Sequence, residues 1–136
     1  MWQAAGHIGA EIYNEPGSLV WNEAALPDPD TARKFYAAVF GYSYQPVDGA
    51  GPAYTTFHLD GDPLGGIGGL DNSPPGAPPH WMTYFMVADA DAVVAAATER
   101  GATVLGGPLD TPYGRMAVIT DPQGATFAIM GAVSSG

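Results

Sequence analysis

The stretch Asp121–Met130, DPQGATFAIM, reads as a tight turn running into an apolar strand. Residues 62–70, DPLGGIGGL, state nearly the same thing 59 residues earlier. Working outward from the first copy, LVWNEAALPD (19–28) fits a strand that ends at a helix cap. Asp28 suits the N-cap, Pro29 the first helical position and Asp30 the first turn. Ala32, Phe35, Tyr36, Val39 and Phe40 then fall on one helical face, and Gly41 suits the C-terminal cap. Strands are expected near 42–47, 53–59 and 64–70, the last two joined by a turn around DGDP (60–63).

The second copy repeats the order. WMTYFMVAD (81–89) is a strand that again ends at an Asp. Asp89 caps a helix running through Arg100, which Gly101 ends, and strands follow near 102–106, 114–120 and 125–131. Asp28 and Asp30 map onto Asp89 and Asp91, 61 residues on, Gly41 maps onto Gly101, and the two DPxG turns map onto each other. The chain is an internal duplication of a roughly 50-residue module. A module that small cannot bury both faces of its strands. Two copies placed edge to edge make one curved sheet with helices outside and a concave inner face lined by alternate residues. The expected class is α+β: two βαβββ modules, 18–70 and 80–131, forming a half-barrel mixed sheet. They are joined by the Pro-rich linker 71–79 and followed by a tail, 132–136.

Composition narrows the function. With 136 residues and 46% hydrophobic content, the chain supports one domain. The 19 Gly and 13 Pro point to turns and short strands, and the absence of cysteine removes disulfides, thiolate metal sites and cysteine nucleophiles. Fourteen acidic against four basic residues give a formal net charge of -10, which disfavours nucleic acids, anionic membranes and anionic cofactors. No apolar run reaches membrane-spanning length and no basic-then-apolar leader opens the sequence, so a cytoplasmic location is expected.

ALPDPDTARKFYAAVFGY (25–42) and AVITDPQGATFAIM (117–130) resemble the helix and closing hairpin of the vicinal oxygen chelate superfamily. That superfamily includes glyoxalase I, extradiol dioxygenases and bleomycin-resistance proteins, and the resemblance covers about residues 18–131. Its metal-dependent members place a His or Gln ahead of each helix-capping Asp and a Glu on the strand after each DPxG turn. Counted onto this sequence, those positions fall on Trp21, Met82 and Ala128, and in the first half within residues 64–70, where there is no carboxylate. Trp and Ala have no metal donor and Met is a soft thioether. The expectation is no bound metal and no cofactor.

Strand parity puts Leu19, Trp21, Glu23 and Ala25 on one face, and Met82, Tyr84 and Met86 on the matching face of the second half. If these point inward, the concavity is rich in aromatics and methionine, with Tyr54 or Phe57 and Met116 joining from later strands and His80 at its mouth. Such a lining suits a flat aromatic or cationic ligand, although the same set also reads as ordinary core. Glu23 is the most informative residue: it binds a ligand cation or hydroxyl, acts as a general acid/base, or sits at the rim paired with Arg33, Arg115 or a backbone N–H. His58 is expected to make a structural hydrogen bond. Asp62 and Asp121 are expected to serve turns, and the glycines at 65, 66, 68 and 69 to mark close approach of another backbone.

Residues 1–17 belong to neither module. They resemble the inter-domain linker of tandem glyoxalase-like proteins and are read as a linker remnant or an arm, with Trp2, Ile8, Ile12 and Tyr13 packing on a partner or on the sheet. Single-pair members of the superfamily dimerise, so a homodimer is expected. Three functions remain open. One is metal-free small-molecule binding of the bleomycin-resistance, antibiotic-sequestering type. Another is a metal-independent glyoxalase-like or natural-product tailoring enzyme of lyase, isomerase or oxygenase character using Glu23. The third is a scaffold.

Overall fold

The structure is a computed structural model that describes residues 3, 5–7, 9–51, 53–71 and 73–132. The first half contributes β1 (Leu19–Ala25), α1 (Pro29–Phe40), β2 (Ser43–Pro46), β3 (Thr55–Leu59) and β4 (Asp62–Gly68). The second contributes β5 (His80–Met86), α2 (Ala90–Glu99), β6 (Thr103–Thr111), β7 (Gly114–Thr120) and β8 (Thr126–Gly131). All eight strands form one mixed sheet in the order β2-β3-β4-β1-β5-β8-β7-β6. Each half therefore folds the same way: its first strand runs parallel to its last, and the remaining two follow outward as antiparallel neighbours. The halves meet where β1 lies antiparallel to β5, with Glu23 opposite Met82 and Trp21 opposite Tyr84. The result is the curved α+β half-barrel that the duplicated sequence predicts.

Both helices start as expected. The Asp28 carboxylate accepts from the Thr31 N–H at 3.2 Å, and the Asp89 carboxylate from the Ala92 N–H at 3.0 Å. Gly41 closes α1 in the left-handed region at φ 80°, where its N–H reaches the Ala37 carbonyl. Helix α2 is capped one residue earlier than expected, at Arg100, with Gly101 just beyond it.

Both helices cover the same face of the sheet, and each has its own core beneath it. Ala24, Phe57 and Ile67 are buried under α1, packed by Leu26, Ala32, Tyr36, Tyr42 and Tyr44. Ala90, Ala117, Ile119 and Ile129 are buried with α2, packed by Val93, Val94, Ala97 and Phe127. Each large side chain among them contributes about 1.5–3 kcal/mol. Because strand side chains alternate, these core residues assign the opposite, concave face to their neighbours: Trp21, Glu23, Gly66, Gly68, Met82, Tyr84, Met116, Ala128 and Met130.

Two expectations need correction. The DPxG stretches are not equivalent turns. In the first half the turn is Asp60–Gly61, both at positive φ, while Asp62 and Pro63 already pair with Leu59 and His58 in the ladder. In the second half residues 121–125 form the loop, and the Asp121 carboxylate accepts from the N–H groups of Gln123 and Ala125. Strand β6 also runs beyond residue 106 to Thr111 through Gly106, Gly107 and Pro108. Register shifts between Val104 and Gly106 and between Gly106 and Leu109 absorb these residues, which otherwise break a ladder. In the N-terminal segment, Ile12 and Tyr13 are exposed and Gly17 donates to the Met86 carbonyl, extending the β1–β5 pairing. Trp2, Ile8, Ser134 and Ser135 lie outside the described residues.

Candidate functional site

The concave face gathers three aromatic side chains and a methionine around one carboxylate. Glu23 stands on β1 at the centre of the sheet. Tyr54, the residue before β3, donates its hydroxyl to Glu23 Oε2 at 2.8 Å. Tyr84 on β5 donates to Glu23 Oε1 at 3.5 Å. The Trp21 indole N–H donates to the Tyr54 oxygen at 3.3 Å. Met82 faces Glu23 directly across the β1–β5 ladder.

The glycine run of β4 makes this geometry possible. Strand β4 lies between β3 and β1, so a side chain from β3 must cross it, a span of about 10 Å. A Cβ on Gly66 would sit 2.0 Å from the Tyr54 hydroxyl oxygen, and one on Gly68 would sit 2.9 Å from its ring. The Tyr54 ring thus runs over bare backbone from Gly68 to Gly66 and ends at Glu23. On the other face a Cβ at Gly65 would meet the Asn22 carbonyl oxygen at 2.1 Å and the Phe57 ring at 2.6 Å. The close backbone approach expected at these glycines is made only at Gly65; at Gly66 and Gly68 a side chain takes that place, and Gly69 has only an ordinary contact with Asp71 at 3.6 Å.

Burial pushes the Glu23 carboxyl above its ordinary value of 4.5, and hydrogen bonds from Tyr54, Trp21 and Tyr84 and the proximity of His80 offset only part of that rise. The Tyr54 and Tyr84 phenols are driven well above their ordinary 10.0, first by burial and then by the neighbouring Glu23 charge. Both phenols stay protonated and act as donors. Neither arginine considered as a partner serves Glu23. Arg33 pairs with Asp30 and also donates to the Ala53 carbonyl and Thr55, while Arg115 pairs with Asp91 and Asp110.

Of the residues expected at the site, Trp21, Glu23, Tyr54 and Tyr84 are brought into one hydrogen-bonded cluster and Met82 lies beside it. His80 shares the face, pairs with Ala25 across the ladder and bonds the Pro78 carbonyl at 2.8 Å. Met116 is on the same face but three strands from Glu23 and, by register, level with Met86 rather than Met82, so it is far from the carboxylate. Phe57 is a correction: it points to the helix side, where it stacks on Tyr42 and meets Trp81 edge-on. Its parity follows from Thr55, which bonds Arg33 of α1. His58 is buried and bonds Thr56 at 2.7 Å, the structural role expected of it.

An apolar cavity of about 390 Å³ lies elsewhere, lined by Val20, Met86, Val87, Tyr113 and Met130. It shares no residue with the Glu23 cluster and holds no acid or base apart from the Tyr113 phenol.

The donor set does not fit a divalent cation. At the positions that the resemblance implies for metal ligands, this chain has Trp21, Met82, Ala128 and the β4 glycines. Glu23 is already bound by hydrogen-bond donors. Among the described residues, no three His, Asp or Glu side chains come together as ligands. Nor, among them, is any helix long and apolar enough to cross a membrane.

The fold and the duplicated module define a class, and sequence comparison agrees with it. The family described as "Glyoxalase-like domain" matches residues 21–130, and the chain belongs to that family, within the vicinal oxygen chelate superfamily. It is 42% identical over 132 residues to "Putative glyoxylase CFP32" of Mycobacterium tuberculosis, covering 96% of this chain and 50% of that protein. It is 37% identical over 131 residues to "Anthracycline biosynthesis protein DauV" of a Streptomyces species, covering 96% and 47%. The chain therefore spans about half the length of these curated relatives. Among solved structures, methylmalonyl-CoA epimerase from Mycobacterium tuberculosis superposes with a TM-score of 0.58 at 18% identity, covering 94% of this chain and 95% of that one. The Mn(II)-bound glyoxalase from Novosphingobium aromaticivorans gives 0.57 at 20% identity, covering 87% and 41%. At such identities the likeness concerns the fold.

Proposed function

We propose that this domain binds a planar, hydroxylated aromatic molecule on its concave face without a metal, with Glu23 as the hydrogen-bond acceptor that orients it. The observation that carries the reading is a half-buried carboxylate with no ion pair to a cation among the described residues, set among Trp21, Tyr54, Met82 and Tyr84. Aromatic and thioether groups suit a flat apolar body, and one acceptor suits a hydroxyl or amine on its edge. The names of two relatives point to the same chemistry: DauV and DnrV are called anthracycline biosynthesis proteins, and an anthracycline is a planar polycycle edged with hydroxyls. The net charge of -10 favours ligands that also carry an amine.

The test is titration of the anthracycline doxorubicin into the protein, following tryptophan fluorescence, with recovery of the ligand afterwards. Saturable quenching with the ligand returned unchanged supports binding, and Glu23→Gln should then weaken affinity. Absence of saturable binding refutes the reading for this ligand class. A second reading, a metal-independent enzyme, is favoured by the raised titration of Glu23, which suits an acid/base group working nearer neutrality. It requires chemical conversion of the ligand, and Glu23→Gln would lower turnover while binding is retained. The homodimer expected from the superfamily is part of this proposal and is read by sedimentation.

A further inference from the structure

The side chain of Tyr54 is itself a phenol, and everything around it is arranged as a phenol-binding site would be. Its ring lies on the bare backbone of Gly66 and Gly68, a floor on which any Cβ would collide with it. Its hydroxyl donates to Glu23 and accepts from the Trp21 indole, so the oxygen is held from two sides. Its own main chain lies just outside the ladder, between Ala53 and Thr55, both of which Arg33 contacts. Tyr54 precedes β3 rather than belonging to it, and its N–H makes only a 3.4 Å turn bond to Gly51. The segment leading to it turns at Gly49 and Gly51, both in the left-handed region.

From this geometry we propose that Tyr54 is a resident, displaceable occupant of a phenol subsite. A phenolic ligand enters by replacing the Tyr54 ring on the Gly66–Gly68 floor and its hydroxyl against Glu23. The proposal rests on the ligand-binding reading above and narrows it to phenols. It also makes a prediction of opposite sign to the obvious one. A wall residue that contacts the ligand weakens binding when removed, whereas a plug strengthens it.

The experiment compares wild type, Tyr54→Phe and Tyr54→Gly by calorimetric titration with p-cresol, which is the tyrosine side chain as a free molecule, with toluene, and with doxorubicin. Expected affinity for p-cresol rises from wild type through Tyr54→Phe, whose ring keeps its place but loses its two hydrogen bonds, to Tyr54→Gly. The whole series spans about tenfold or more. In Tyr54→Gly, p-cresol should exceed toluene by about tenfold, the worth of one hydrogen bond to a charged acceptor. Adding Gly66→Ala to Tyr54→Gly returns a methyl group to the floor and should erase that preference. Tyr54→Phe keeps the test readable if Tyr54→Gly does not fold. A flat or reversed series, or no discrimination between p-cresol and toluene, overturns the proposal. Doxorubicin binding equally to all three proteins would leave the binding function standing and remove the displaceable plug. A rising p-cresol series with no doxorubicin binding would do the opposite.

Discussion

Adjacent glycines in β4 should respond very differently to the same substitution. Gly65→Ala puts a methyl group 2.1 Å from the Asn22 carbonyl oxygen and 2.6 Å from the Phe57 ring. Comfortable carbon contacts lie at about 3.5–4.0 Å. The obstacle is backbone on the paired strand, in register opposite Gly65, and cannot turn away. Relief requires β1 and β4 to separate at the centre of the sheet. We place the cost near the upper end of overpacking, about 3 kcal/mol, reduced by at most about 1 kcal/mol from the stiffer unfolded chain. Neither glycine has a positive φ, so backbone strain does not enter. Gly66→Ala collides at 2.0 Å too, but with the far end of the Tyr54 side chain, which can swing out. Its cost is the loss of two hydrogen bonds, about 1 kcal/mol each, against the same gain, leaving about 1 kcal/mol. Urea denaturation read by tryptophan fluorescence separates the two. Gly65→Ala should lose at least about twice the stability of Gly66→Ala, with a melting temperature lower by about 6–9 °C at about 3 °C per kcal/mol. Gly66→Ala should change native fluorescence through Trp21, which loses its Tyr54 partner. Equal losses, or a neutral Gly65→Ala, would refute the geometry given for the glycine floor.

Three further outcomes follow. The Glu23 carboxyl titrates higher in the fold than its ordinary 4.5, so in that window the folded protein holds the extra proton and stability falls as pH rises through it. Urea midpoints measured against pH should show this decline in wild type and lose it in Glu23→Gln. Ile67 and Ile119 are fully buried in separate clusters, so Ile67→Ala and Ile119→Ala should each cost about 3 kcal/mol by the same assay. Adding Mn²⁺ or Zn²⁺ should leave the melting temperature unchanged; a clear rise would mean that a ligand set exists where Trp21, Met82 and Ala128 argue against one.

Much of the fold was legible because local chemistry and global arrangement agree. Asp28 and Asp89 announce the helices, Gly41 ends the first one, and the repeated order of elements forces two like modules to share one sheet. The strand after each turn was harder. DPLG and DPQG match as text, yet one pair of residues is in a ladder and the other in a loop, because Asp60–Gly61 supplies a tighter turn just upstream. Parity placed Trp21, Glu23, Met82 and Tyr84 on one face, since β1 and β5 alternate regularly past the one irregularity at Leu19. It could not choose between Tyr54 and Phe57, because the start of β3 decides which face each takes. That Tyr54 and Tyr84, expected on the same face, are the hydrogen-bond partners of Glu23 was not legible. Charge suggested Arg33 or Arg115, and both are occupied on the helix side. The readable signal was Gly66 and Gly68 spaced two apart on one face, which marks a place where a neighbouring side chain lies across the strand.

The duplication supplies an internal control for that interpretation. Tyr54 immediately precedes the third strand of its module, and Tyr113 immediately precedes the third strand of the other. Two tyrosines thus start from equivalent points. Glu23 pairs with Gly66, and at the corresponding point Tyr84 pairs with Ala128. Two residues further along, β4 has Gly68 where β8 has Met130. In the second half, side chains therefore stand where the first half has bare backbone, and a phenol rather than a carboxylate waits at the end of the path. Tyr113 remains 65% exposed, beside the cavity lined by Met86 and Met130. Tyr54 folds inward to Glu23. The backbone module is shared, so the difference lies in three side-chain positions: the acid at 23 and the glycines at 66 and 68. Those positions give the half-barrel the polar centre at Glu23 and set it to one side of the line where the two modules join.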